Sequence, residues 1–233
     1  RGQIKSQQFY GDGYSARAAA SSLENPSQWF LDWASGGASA SGVPVNDETA
    51  LTYAAIYACN RILAESLASL PVGLFRTDDE GDTWPALNRA EHRLIALNPS
   101  GDAGIYTSYT FRSTLQFHLG LKGNGYARIR RDGRGGAREL RILHPDYCRP
   151  FFYNDRLFYE VTPNPAQGYS GEREILLPED ILHIPALSTD GIKGRSPISL
   201  LKDTIGIGIA NRNYIAKVQA RGGRLDGYLT HPN

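Results

Sequence analysis

The chain has 233 residues, enough to bury one sizeable core or two small ones, and at 41% apolar and 21% charged it has the composition of an ordinary globular protein. A formal net charge of +1 gives no global electrostatic pull toward nucleic acid or a membrane surface. No apolar run approaches the ~18 residues of a membrane span, since Arg61 and Glu65 interrupt the longest candidate, Ala50 to Leu74. The N-terminus lacks an apolar signal core, so secretion is not indicated. Cys59 and Cys148 fit no metal-ligand spacing and suit a reducing compartment better than a disulfide framework. Methionine is absent even at position 1, and the chain stops at the turn signal "DGYLTHPN", so a piece of a longer protein is expected.

Residues 1–45, rich in Ser, Gly, Ala and Gln, read as an irregular arm in which Trp29, Phe30 and Trp33 pin the chain to a neighbouring surface. From Asn46, an N-cap followed by Asp47 and Glu48, the spacing predicts a helix as far as Pro71. One apolar stripe is Ile56, Cys59, Leu63, Leu67 and Leu70, and a second is Leu51, Ala55, Ala58 and Ile62. A helix apolar on two stripes is expected to be wedged between neighbours. "VGLFRT" reads as a strand closed by the acidic turn Asp78 to Asp82.

A second helix is predicted over Ser108 to Lys122, with Phe111, Leu115, His118 and Leu119 on one face and Gly123-Asn124-Gly125 as its stop. "YARIR" and "RELRIL" form a hairpin around Asp132-Gly133. A further hairpin over Phe151 to Val161 turns at Asn154-Asp155, and "EILL" and "DILHI" flank Pro178-Glu179 as short strands. Beyond Ser196-Pro197, a strong helix start, Ile198 to Arg221 reads as a helix of about 24 residues, about 36 Å long. The expected class is α+β: a domain over 46–197 with helices packed on short antiparallel strands and hairpins, then a long helix and the start of a following segment over 198–233.

"GIGIAN", Gly206 to Asn211, approaches a dinucleotide fingerprint but falls inside a helical pattern rather than after a strand, so close helix packing is the better reading. No Gly-Lys-Ser/Thr loop and no Gly-x-Ser-x-Gly elbow occurs. His92, His118, His144, His183 and His231 form no paired-His zinc motif. His118 and His183 read as satisfied core histidines. The junction "HIPALSTDGIKGRSPISLL" reads as structural punctuation, with Ser188 or Asp190 closing a turn. Asp180 and Asp190 are explained by turn and cap roles. No catalytic residue, cofactor or metal is assigned.

Basic residues concentrate in the first hairpin, where Arg128 and Arg130 share a face that reads as solvated; a phosphate-binding patch is the sharper alternative. Arg212, Lys217, Arg221 and Arg224 add charge in and just after the long helix, where it also suits the helix dipole. The candidate nucleic-acid or subunit contacts are therefore Arg128, Arg130, Arg212, Lys217 and Arg221.

Four segments, "YAAIYACNRILAESLASLPVGLFR", "GNGYARIRRDGRGGARELRILHPDYC", "DILHIPALSTDGIKGRSPISLL" and "GYLTHP", resemble in order and separation the portal proteins of long-tailed bacteriophages. The resemblance covers residues 48–233. It implies a non-enzymatic ring of about a dozen copies at one capsid vertex. Double-stranded DNA would pass through that ring, and terminase, capsid and head-tail connector proteins would dock on it. It places the protein in the virion, with assembly in the bacterial host cytoplasm, and implies no membrane partner. The matched segments look like the wing part and the start of the helical wall; the terminase-docking surface would lie outside them. The family's DNA contacts follow no motif matched here, so none is carried over. Two other readings remain: a nucleotide- or phosphoester-processing enzyme built on the glycine-rich junctions and hairpin arginines, and a nucleic-acid-binding module that forms no ring.

Overall fold

The computed structural model describes residues 39–86, 90–164 and 172–222. Trp29, Phe30 and Trp33 of the arm lie outside the described residues, as do Arg224, His231 and the "GYLTHP" stretch. Among the described residues, one compact unit runs over 58–197 and a second is built from 39–57 and 198–222. No described helix is long and apolar enough to cross a membrane. The architecture is mixed, with helices and small antiparallel sheets.

In the second unit Asn46 caps helix α1 (Asp47–Leu51) through a reciprocal pair of 2.8 Å bonds with Thr49. The single helix expected from Asn46 to Pro71 is broken after α1. The Thr52 hydroxyl donates to the Thr49 carbonyl at 2.7 Å, a local bond that competes with the helical ladder, and α2 (Ala54–Ser69) begins afresh. The long C-terminal helix is likewise two pieces, α5 (Pro197–Leu200) and α6 (Lys202–Ala220), parted by Leu201 at φ −100°, ψ 14°. The close-packing reading of the α6 glycines holds. A Cβ on Gly206 would collide with the Ser39 side chain, and one on Gly208 would sit 3.1 Å from the Tyr53 ring. Asp203 fastens the same surface by accepting from the Ala40 N–H at 2.8 Å.

In the first unit the expected stripes of α2 are not its buried face. Asn60, Ala64 and Ala68 are buried, while Ile62, Leu63, Leu67 and Leu70 are exposed. Helix α4 (Ser108–Lys122) explains the exchange. Its Gly120 comes so close to Asn60 that a Cβ would overlap the Asn60 carboxamide, and only small residues allow two backbones to approach so far. Between these helices lie a small hairpin, β1 (Phe75–Thr77) with β2 (Thr83–Pro85), and α3 (Ala90–His92), which runs into a wide turn over Arg93–Leu97. Neither β2 nor α3 was foreseen.

Helix α4 ends at Gly123, as its sequence predicts, and Thr107, not singled out in the sequence, caps its start. Its buried residues are Ser108, Phe111, Leu115, His118 and Leu121; Leu119, expected on the stripe, is only partly buried. The strands follow: β3 (Asn124–Arg131), β4 (Ala137–Leu143), β5 (Cys148–Tyr153), β6 (Arg156–Val161), β7 (Glu174–Leu176) and β8 (Ile181–Pro185). They form two antiparallel sheets, β4-β3-β8 and β5-β6-β7. The β5–β6 hairpin turns where expected, with Asn154 and Asp155 both at positive φ (47° and 58°), the geometry of a type I′ turn.

Strand β3 is the middle of the unit because successive residues point to opposite faces. Ala127 meets Phe111, Leu115, Leu94 and Leu140 on the helical side. Tyr126 meets Leu143, Cys148, Tyr159, Val161, Leu176 and Ile181 on the side of the second sheet. Burying a residue such as Phe111 or Leu115 contributes about 2 kcal/mol. The strands on either side of Pro178 part company, β7 joining one sheet and β8 the other, so this short connection ties the two layers together.

Candidate functional site

The glycine-rich junction after β8 is a self-bonded loop stapled to the first sheet. Asp190 Oδ1 accepts from the Ile192 and Lys193 N–H groups at 2.9 Å each, and the Ser188 hydroxyl lies 2.7 Å away. These bonds, the Ile192 amide foremost, hold the Asp190 carboxyl down at about 2. Ser188 also lies 2.8 Å from the Lys193 carbonyl and bridges to Gly194. The loop is anchored by Asn124. Its Nδ2 donates to the Gly194 carbonyl and its Oδ1 accepts from the Gly194 N–H, both at 2.8 Å. Asn124 Oδ1 also accepts from His183 Nε2 at 3.1 Å, which leaves His183 Nδ1 to accept from the Tyr159 hydroxyl at 3.1 Å. Burial lowers His183 to about 4, so the ring is neutral at pH 7 and this donor pattern is fixed. The junction is punctuation, as its sequence reads.

His118 is buried on α4, with Nδ1 unpartnered and its ring edge-on to His144 at 5.2 Å between centroids. Burial, and then the His144 charge, push it down to about 4. Cys148 is also sealed in, and burial pushes its thiol up to about 12, far from the thiolate a nucleophile or metal ligand requires. Asp180 faces Arg131 at 3.1 Å.

The five nominated basic residues fall apart into different surroundings. Arg128 does not stand on a solvated face. Its guanidinium forks onto Glu174 of β7 with two 2.7 Å bonds, because the face it shares with Tyr126 is covered by the second sheet. Arg130, farther along β3, is more exposed and meets Glu139 at 3.2 Å. Arg212 donates to the Thr52 carbonyl at 2.7 Å from the exposed side of α6. Lys217 and Arg221 lie on the exposed last turn and cap of α6. The acidic partners Glu174, Glu139, Asp180 and Asp102 escaped the sequence reading, since pairs 9 to 49 residues apart leave no periodic trace.

We expect Arg128→Ala to lower the unfolding free energy by about 2 kcal/mol, because it strands the half-buried Glu174 carboxylate. Urea denaturation of the single variants and of Arg128→Ala with Glu174→Ala tests this. A coupling energy near zero in that cycle would show that the pair is not structural.

Residues 54–233 match a family model described as "Phage portal protein". A "Probable portal protein" of Streptomyces phage phiC31 is 30% identical over 200 residues, covering 80% of this chain and 41% of that relative. Among solved structures, the neck of an empty GTA particle computed with C6 symmetry aligns with a TM-score of 0.59 at 18% identity, covering 79% of this chain and 46% of that one. The neck of the native particle, computed with C12 symmetry, gives 0.55 at 18% identity over 79% and 44%. An HK97 family phage portal protein from Corynebacterium diphtheriae gives 0.51 at 14% identity over 78% and 54%. These structural likenesses are of fold. The chain spans less than half the length of the curated relative it matches.

Proposed function

Because this chain belongs to the phage portal protein family, we propose that it is part of a subunit of the ring through which double-stranded DNA enters and leaves the capsid. Terminase, capsid and head-tail connector proteins dock on that ring, which sits at the portal vertex of the virion after assembly in the host cytoplasm. The chain's role is structural, and no residue in it is assigned to catalysis. The observation that carries this reading is apolar surface left without cover on two helices. Residues 211–222, the second half of α6 and its cap, are exposed on every side, with Tyr214, Ile215 and Val218 among them, and α2 exposes Ile62, Leu63, Leu67 and Leu70. Patches of this kind mark surfaces made for protein partners, and a closed cyclic ring supplies them by setting unlike faces of successive copies together.

DNA must slide through such a ring, which favours sequence-independent phosphate contacts over base readout. Lys217 and Arg221 are suited to that work or to a neighbouring copy's acidic groups; Arg212 is a weaker candidate and Arg128, committed to Glu174, is none. A phage whose gene for this protein is inactivated is expected to make heads empty of DNA, with filled heads restored when the gene is supplied in trans. DNA-filled heads in the inactivated phage would refute the proposal.

A further inference from the structure

The described chain begins at Ser39, and it begins on α6. The Ser39 side chain lies where a Cβ on Gly206 would fall, and the Ala40 N–H donates to the Asp203 carboxylate at 2.8 Å. Residues 1–38 therefore join the second unit at the surface of this helix. Beside that point runs an apolar stripe that the described residues leave uncovered. Ile207, Asn211, Tyr214 and Val218 recur at spacings of four and three, so they share one side of α6. Ile207 is 51% exposed and Tyr214 68%, while the buried Ile205 and Ile209 lie on the opposite side.

Reach, composition and charge select the same occupant. The six residues from Trp33 to Ser39 span at most about 20 Å when extended, and Val218 lies about 18 Å along the helix axis from Gly206. The aromatic part of the arm can therefore lie anywhere along the stripe. Trp29, Phe30, Leu31 and Trp33 stand within five positions, enough apolar surface to cover three exposed side chains. Residues 22–38 carry Glu24 and Asp32 and no cation, whereas the arm's Arg1, Lys5 and Arg17 all precede them. Residues 204–222 carry Arg212, Lys217 and Arg221 and no acid. Lys217 and Arg221 run along one edge of the stripe, and Lys217 has no acidic partner among the described residues.

We propose that residues 24–33 of the arm dock along the Ile207–Val218 stripe of α6 in the same chain. Trp29, Phe30 and Trp33 cover Ile207, Tyr214 and Val218, and Asp32 meets Lys217. The short tether from Trp33 to Ser39 favours the arm's own helix over a neighbour's, because it holds the segment at high effective concentration there. The docking goes beyond the ring reading and does not require it. It occupies one side of a helix that is exposed on every side past Ala210, and it leaves Ile215 and the α2 leucines to neighbouring copies. Lys217 is then engaged within the chain, which makes Arg221 the stronger candidate for phosphate. A ring can assemble with or without the docked arm, so failure of the docking leaves the portal reading standing.

Hydrogen exchange on the natural-length protein tests the docking. In a variant carrying Trp29→Ala and Trp33→Ala, the amides of 211–220 should exchange faster by about tenfold or more. Those of α4 should keep the wild-type rate, which shows that the fold is intact. Exchange over 211–220 that stays at the wild-type rate overturns the proposal. A second measurement identifies whose arm it is. With the exposed Cys59 changed to serine, Ala34→Cys and Asn211→Cys in one chain should be joined by a short bismaleimide. The linked species should run as a single chain under denaturing conditions. A link that joins two chains gives the arm to a neighbouring copy and overturns the docking within one chain, as does the absence of any link.

Discussion

Replacing Gly123 with alanine is expected to lower the melting temperature of this chain by about 10 °C, from a loss of between about 2 and about 5 kcal/mol. Two separate costs combine at this residue. Gly123 ends α4 at φ 73°, a backbone region that costs an L-residue about 1 kcal/mol or more. A Cβ there would also run into the Arg195 carbonyl and the Ser196 amide, backbone atoms with no flexible end to swing aside. The crowding is reciprocal, since a Cβ on Gly194 would strike the Gly123 carbonyl, which accepts the Ala186 N–H at 2.9 Å. The helix end, the start of β3 and the glycine-rich loop thus meet at one point. Gly135→Ala is the internal control. Gly135 is also at positive φ (86°) but has nothing within 4 Å of a Cβ, so only the conformational cost of about 1 kcal/mol remains. Thermal denaturation of both variants decides the matter, and equal losses would mean that the close approach at Gly123 contributes nothing.

Acidification from pH 7 to pH 5 is expected to remove about 2 kcal/mol of stability through His118 alone. The group is neutral and buried in the folded chain, with its affinity for a proton lowered from 6.5 to about 4, whereas the unfolded chain takes up the proton near 6.5. The unfolded state therefore binds more protons throughout this window. The contribution is complete above pH 6.5, drains away as pH falls toward 4, and reaches a limit of about 3 kcal/mol below that. His144, Asp146 and Lys122 are the charged or titratable groups acting on it, and Lys122 and Asp146 pair at 2.7 Å. His183, which burial also lowers from 6.5 to about 4, acts in the same direction. Urea midpoints at pH 7 and pH 5 should differ in the wild type and draw closer together in His118→Leu. An unchanged difference in that variant would contradict the assignment.

Local signals in the sequence carried much of this fold. Gly123 ends α4, Asp132-Gly133 and Asn154-Asp155 mark hairpins, and each works through backbone geometry confined to a few residues. The failures share a different cause. Nothing near Glu174 indicates that it will meet Arg128, 46 residues away, so the covered face of β3 read as solvated. The two stripes of α2 pointed to its leucines, but within the chain Gly120 selects the narrow side with Asn60, Ala64 and Ala68. The leucines then remain as surface, which the proposed ring would cover. Portal family membership was legible because several ordered segments agreed, whereas the contact residues were not, since single arginines carry no such redundancy.

Electron microscopy of the purified protein at its natural length is the most direct test of a ring-building role. Class averages should show closed particles of uniform diameter with a central opening and rotational symmetry. A population of single subunits that persists across a wide concentration range, with no closed particles, would contradict it.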